Sequence, residues 1–468
     1  MIGSLTFVGF LGVGIGILHF FRFKLNCPWL QVVSLLLGIQ IFSLIIQLIG
    51  MTHLASRPML ICVWAILILL GGICNQLWNR SPLILKKSES FFDWILCMSI
   101  LVSLLTLLLT ALAPSTKIDE LYYHMLLPSR IVMDRALLFY RFPIVSAILP
   151  HMIFQISLTP LHALNFPDAG NVVSWWIGLT FLWFCYSMIK SKSNLESWNW
   201  LWITAISVGL YTTVHYVTCG SHAMGDLATV AAVVLLLERR NFYKQTDCLI
   251  TLAFAFSVLC LAGVTTKLAF MPLHLVILAI AGASLLKQAH SLRERKHILF
   301  ALSLPWIILI LPLMLWTYLK SGSPFGPVLG KVLPNSIYKP SDITTELGNM
   351  KNLDRPDFLE FIKMTFISYS PLIFTGAAGV FFVKEIKVRH RFMLATLALF
   401  QGSGILFVLP FHFRFFAGLH YAFAVLFAMH TAPAIQKWAT SKTVLTFLCC
   451  FLLLPWLAGQ LVLCQTIF

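Results

Sequence analysis

Runs of about twenty apolar residues recur along this chain, separated by short and mostly basic connections. A helix of ~20 apolar residues is long enough to cross the ~30 Å hydrocarbon core of a bilayer. Such runs fall at 2–20, 30–50, 58–76, 94–113, 171–189, 199–217, 224–237, 248–264, 268–286, 298–319, 364–383, 391–409, 413–431 and 443–463, about fourteen in all. The seventh is short, and the break before 268 is narrow. No internal repeat or low-complexity segment interrupts the series. The 468 residues are 59% hydrophobic and 11% charged, whereas a soluble chain carries roughly a quarter charged residues. A water-facing surface cannot be assembled from so few charges. The expected class is an all-α polytopic membrane protein with lipid as its solvent.

The basic residues alternate between connections. Arg22 and Lys24 follow the first run, Arg80, Lys86 and Lys87 the third, and Lys190 and Lys192 the fifth. Arg239, Arg240 and Lys244 follow the seventh, and Arg293, Arg295 and Lys296 the ninth. Lys384, Lys387, Arg389 and Arg391 follow the eleventh, and Lys437 and Lys442 the thirteenth. Lys and Arg mark cytoplasmic loops, so these connections are expected inside and both termini outside. The net charge of +16 is spread over these short clusters, which argues against nucleic acid as a partner and for membrane lipid. The eleven cysteines are scattered, mostly within apolar runs, with no CxxC pair and no zinc spacing. The first run lacks a basic n-region and a clear cleavage site, so it reads as a first span rather than a cleaved signal peptide.

Two long loops fall on the outer side, at 114–170 and 321–363. Within the first, 118–134 reads as an amphipathic helix lying in the interface. The apolar stretch 143–160 is short and bounded by prolines. Counting it as a span would invert every later basic loop, so it reads as re-entrant or interfacial, a course that membranes tolerate where protein covers the backbone.

With only seventeen acidic residues, the position of each is informative. Asp119 and Glu120 stand just beyond the fourth run, in Lys117-Ile118-Asp119-Glu120-Leu121-Tyr122-Tyr123-His124. At helical spacing Glu120, Tyr123 and His124 share a face. A carboxylate so placed can take a proton from an acceptor hydroxyl or amine; it also suits the start of a helix through the macrodipole alone. Asp226 lies in His215-Tyr216-Val217-Thr218-Cys219-Gly220-Ser221-His222-Ala223-Met224-Gly225-Asp226. Ionisable groups at the edge of a membrane segment usually have a partner or a role. The preferred reading there is polar lining of a substrate cavity; a His/Asp metal site is the alternative, and it leaves a divalent metal open as a cofactor. Lys267, in Gly263-Val264-Thr265-Thr266-Lys267, and Arg414, in Phe413-Arg414-Phe415-Phe416, are cations at the same outer edge. Lys supplies a point charge and Arg a bidentate fork to a phosphate, while snorkelling to headgroups is the bland account of either.

These residues in this order resemble the C-type (GT-C) membrane glycosyltransferases, a family that includes protein O-mannosyltransferases and lipid A aminoarabinose transferases. Asp119-Glu120-Leu121-Tyr122-Tyr123-His124 looks like the acidic motif in the first outer loop of that family. Gly225-Asp226-Leu227-Ala228 is similar to a second acidic position, and Ala262-Gly263-Val264-Thr265-Thr266-Lys267 to a small-residue helix ending in lysine. Trp316-Thr317-Tyr318-Leu319-Lys320-Ser321-Gly322-Ser323-Pro324-Phe325 is like the aromatic exit with a Gly-x-Pro turn, and Arg414-Phe415-Phe416 like the Arg-aromatic start of a late helix. The likeness runs over about 94–431.

The resemblance implies extra N-terminal helices at 1–93, a catalytic membrane module at 94–320, the second outer loop at 321–363 and C-terminal helices at 364–468. It implies Asp119 as catalytic base with Glu120 supporting it, and Lys267 and Arg414 holding the donor phosphate. Tyr122, Tyr123, His124, His222 and Asp226 would contact substrate. The donor would be a polyprenyl-phosphate-linked sugar and the acceptor a group on the outer face. Nothing in the loops suggests a eukaryotic targeting code, so the expected site is a bacterial cytoplasmic membrane with the chemistry facing the periplasm. Three runs precede the presumed module and no large soluble domain follows it. That leaves two rival functions: a structural subunit of a membrane complex keeping the fold without activity, and a transporter or flippase of lipid-linked substrates. A transporter calls for ionisable groups along a midplane path and often for repeated halves; here the acidic candidates gather at one face.

Overall fold

The computed structural model describes residues 1–76, 91–115, 121, 124–140, 149–213, 220–246, 248–324, 370–408 and 416–438. Among them every regular element is helical. Four long helices lead: α1 (Ile2–Phe20), α2 (Trp29–Met51), α3 (Arg57–Gln76) and α4 (Phe91–Leu112). Short pieces follow: α5 (Leu126–Asp134), a 3-10 turn at Leu149–His151, α6 (Ile153–Ser157) and α7 (Thr159–Ala163). Next come α8 (Ala169–Lys190), α9 (Glu196–Thr213), α10 (His222–Thr246), α11 (Leu249–Val264) and α12 (Met271–Gln288). The last described helices are α13 (Leu292–Leu309), α14 (Leu311–Ser321), α15 (Pro371–Gly379), α16 (Val388–Val408) and α17 (Ala417–Trp438).

Among the described residues seven helices, α1, α2, α3, α4, α8, α12 and α17, are long and apolar enough to cross a membrane, and the bent pair α13–α14 makes an eighth if taken as one span. This is the pattern of a multi-pass helical membrane protein. In their described residues, thirteen of the fourteen apolar runs fall on helices or a helix pair, with parts of 199–217, 364–383, 391–409 and 413–431 outside the described residues; the fourteenth, 443–463, lies wholly outside them. The run 298–319 is a broken helix, bent by 47° between Leu309 and Leu311. Pro312 stands in the first turn of α14; its ring excludes the carbonyl four residues earlier and it has no N–H to continue the ladder.

α10 and α11 form the centre, and almost every residue of α11 is buried. α11 packs on α10, α12, α13 and α2; α10 also packs on α8 and α17. At the periphery α3 and α4 turn Ile66, Leu69, Ile73, Leu101, Leu105 and Leu109 outward, as lipid-facing helices do. α1 is gripped by α2 and α3 through glycines: a Cβ on Gly12 would meet Gly71 O at 1.9 Å, and one on Gly38 would meet Phe10 O at 1.8 Å. Small residues let backbones touch where lipid removes any hydrophobic drive between helices.

The first long loop is folded inward. The turn at Leu149–His151, α6 and α7 are buried along nearly their whole length, packed against α2, α3 and α5. Each helix is five residues long, and at ~1.5 Å per residue neither can span a bilayer. Within 143–160, read as non-spanning, the described residues 149–160 form only these short pieces. The amphipathic helix read at 118–134 is seen as α5, which begins at Leu126; His162 of α7 joins it through a 2.9 Å bond between Nδ1 and Ser129 Oγ.

α11 ends where α10 begins, and α17 runs parallel to α10, Gly418 meeting Asp226 and His430 meeting Glu238, so the helix ends sort onto two edges. Ser221 and His222 at the start of α10, Thr266 and Lys267 just after α11 and Gly418 at the start of α17 share one edge. At the opposite edge Glu238 near the end of α10 pairs with Lys192 after α8 at 3.2 Å and with His430 of α17 at 3.3 Å.

Candidate functional site

Two ties join α10 to the turn that follows α11. Ser221 Oγ donates to the Thr266 carbonyl at 2.9 Å, and Lys267 Nζ lies 2.9 Å from His222 Nε2. Gly225 allows the approach: a Cβ there would stand 2.7 Å from Thr266 Cγ2. His222 is buried and Lys267 half-buried, so an ammonium sits at the rim of the helix bundle with an imidazole behind it.

One turn further along α10, Asp226 is 1% exposed. The face it shares with His222 follows from their i, i+4 spacing. α17 closes over it without a side chain between. A Cβ on Gly418 would lie 2.7 Å from Asp226 Oδ1 and 2.9 Å from Thr229 Cβ. Tyr421, one turn deeper on α17, is fully buried. Its ring packs edge-on against Phe181 of α8 with centroids 5.5 Å apart.

α12 brings His274 under the same cluster. Its Nδ1 lies 2.9 Å from Phe270 O; a carbonyl only accepts, so Nδ1 carries the proton and Nε2 presents a lone pair. The Thr229 hydroxyl has one proton, given to Gly225 O at 2.8 Å, with His274 Nε2 a longer neighbour at 3.4 Å. The His274 ring lies against Gly263, where a Cβ would be 2.1 Å from Nε2.

The first loop reaches the same edge from below. His151 Nδ1 donates to Val264 O at 2.8 Å, three residues before Lys267. Burial pushes the His151 imidazole down to about 4, opposed by that bond to Val264. Four residues on, Gln155 Nε2 donates to His124 Nδ1 at 2.8 Å, both groups buried. One sequence of contacts thus runs from His124 through α6 and the Leu149–His151 turn to the end of α11, then through Lys267 and His222 to Asp226 and α17.

Of the residues singled out in the sequence, His222 and Lys267 are brought into contact, Asp226 lies one turn along α10, and His124 is linked to the same edge through Gln155 and His151. Asp119, Glu120, Tyr122, Tyr123 and Arg414 lie outside the described residues. The tertiary structure adds His151, Gln155, His274, Thr229, Gly418 and Tyr421. Of these, His151 had a signal, as an ionisable side chain inside a proline-bounded apolar stretch; Gly418 and Tyr421 look like ordinary residues of an apolar helix. Among the described residues no group of three or more His, Cys, Asp or Glu side chains is arranged to hold a metal ion.

The groups on show are a half-buried ammonium against a buried imidazole, with a buried carboxylate one helical turn along. Lys267 offers three donors and no acceptor, and Asp226 offers acceptors in surroundings that strengthen each electrostatic contact. Comparison with protein-family models, curated proteins and solved structures returned no match. Fold and site define the class on their own: a multi-pass helical membrane protein with a buried polar cluster at one edge of the bundle.

Proposed function

We propose that this protein is a membrane glycosyltransferase of the GT-C type, moving a sugar from a polyprenyl-phosphate donor to a hydroxyl or amine acceptor at the outer edge of a bacterial cytoplasmic membrane. The observation that carries the reading is the Lys267–His222 contact, one helical turn from the buried Asp226, next to the turn that His151 ties to Val264. What supports the reading is that His151 and His124, later in the same loop sequence as Asp119 and Glu120, are tied to the turn that bears Lys267.

In this reading the lipid-linked donor enters sideways from the bilayer, with its phosphate against Lys267 and Arg414. Asp119, supported by Glu120, takes the proton of the acceptor as its oxygen or nitrogen forms a bond to the anomeric carbon. The bond from that carbon to the phosphate oxygen breaks, and the polyprenyl phosphate leaves with the electron pair. A single displacement of this kind inverts the anomeric configuration. Cations held in place on the departing phosphate stabilise charge as it develops, commonly the largest single contribution. Tyr122, Tyr123, His124 and Asp226 line the path of donor and acceptor.

The test is transfer from a synthetic polyprenyl-phosphate sugar panel by the purified protein in lipid nanodiscs. Asp119→Asn should lower turnover by roughly 10²–10⁴, the usual range for loss of a general base, while the protein still folds. Lys267→Ala and Arg414→Ala should weaken donor binding. Near-normal turnover in Asp119→Asn removes the proposed base, and a wild-type protein that binds no donor in the panel removes the reading.

A further inference from the structure

Lys267 Nζ and His222 Nε2 are 2.9 Å apart. An ammonium has protons to give and no lone pair, so the imidazole nitrogen must be the acceptor and must be bare. If both groups were protonated, two cations would face one another across a hydrogen-bond distance with His222 only 3% exposed, and each would disfavour the other's charge. Without an anion, Lys267 therefore holds His222 neutral. An anion at Lys267 reverses the balance. It offsets the ammonium's charge and supplies an acceptor for an imidazolium N–H, so the protonated ring becomes the favoured form.

We infer that His222 is a proton-linked positioning residue for Lys267: it holds the ammonium toward the anion site and takes up one proton when the anion binds. This rests on the reading of Lys267 as the cation that meets the donor phosphate. The described ionisable groups around His222 bear on the balance in known directions. Asp226, one turn along α10, favours the imidazolium, and Lys267 opposes it. Tyr421 of α17, one turn from Gly418, is fully buried. His274 of α12 reaches the cluster through Thr229 and His151 through Val264, each with its Nδ1 proton committed to a backbone carbonyl. Because the complex binds more protons than the free protein, affinity must rise as pH falls, by up to about tenfold per pH unit between the free and bound imidazole pKa values.

The experiment is calorimetric binding of farnesyl methyl phosphate to the full-length protein in nanodiscs, from roughly pH 5.5 to 8.5. This phosphodiester keeps one negative charge throughout, so only protein groups titrate. Measurement in two buffers of different protonation enthalpy counts the protons taken up. The expected result is tighter binding toward low pH with uptake approaching one proton. In His222→Gln the amide oxygen still accepts from Lys267; the affinity that is left should show neither the pH dependence nor the proton uptake. Affinity in the wild-type protein that does not change with pH overturns the inference, as does a His222→Gln protein that keeps the same dependence. The two-buffer measurement decides the matter on the wild-type protein alone if the variant fails to fold. Binding lost in Lys267→Ala at every pH supports the phosphate reading independently; a wild-type protein that binds at no pH removes that reading and the inference with it.

Discussion

Gly418 is the position where one methyl group should do the most harm. On α17 its Cβ would stand 2.7 Å from Asp226 Oδ1, 2.9 Å from Thr229 Cβ and 3.1 Å from Asp226 Cα. Carbon atoms pack at about 3.5–4.0 Å, so alanine overlaps a side chain and a backbone atom together. Rotating Asp226 relieves the first clash but not the contact with Cα, and α17 must retreat from α10 by several tenths of an ångström. Overpacking of this kind costs about 1–3 kcal/mol. The backbone contact puts Gly418→Ala toward the upper end. Gly72 on α3 is the matched control, since a Cβ there meets nothing within 4 Å. Alanine in an open helical site is favoured over glycine by roughly 0.5–1 kcal/mol. Thermal unfolding in nanodiscs should place Gly418→Ala well below the wild type and Gly72→Ala at or above it. A Gly418→Ala protein as stable as the wild type, or a Gly72→Ala protein that loses as much, would refute the packing of α17 on Asp226 described above.

Three further outcomes can be checked. Gly263→Ala should destabilise the protein, because its Cβ would lie 2.1 Å from His274 Nε2; shrinking the ring in Gly263→Ala/His274→Ala should recover part of the lost melting temperature, and no recovery would show that the two do not collide. At the opposite edge Glu238, largely buried, joins Lys192 and His430; Glu238→Gln should cost on the order of 1 kcal/mol, read as unfolding stability, with a Lys192→Ala/Glu238→Gln cycle giving a coupling of the same order. Burial pushes the His162 imidazole of α7 down to about 4 from its ordinary 6.5. The unfolded chain then binds the proton first, so the contribution of His162 to stability is unimpaired above pH ~6.5 and is lost as pH falls from there toward ~4; His162→Gln should flatten that part of the melting-temperature profile, and an unchanged slope would assign it to another group.

The amino-acid sequence by itself determined the helices and their alternation. Apolar runs of membrane-spanning length leave the backbone no partner but its own turns, and the broken run at 298–319 carries its cause in Pro312. The proline-bounded stretch reads as non-spanning because counting it as a span inverts the charges of every later loop, and its described residues 149–160 form short helical pieces. Lys267, His222 and Asp226 were legible as candidates because ionisable groups in so apolar a chain are few. Their partners were decided only in three dimensions. That Lys267 meets His222 rather than lipid, that Gly418 is the lid on Asp226, and that His151 ties the first loop to the end of α11 depend on contacts between residues far apart in the chain. Periodicity shows which face of a helix is apolar; in a chain whose helices are apolar on nearly every side, only the packing of one helix against another selects which polar atoms come to share a space.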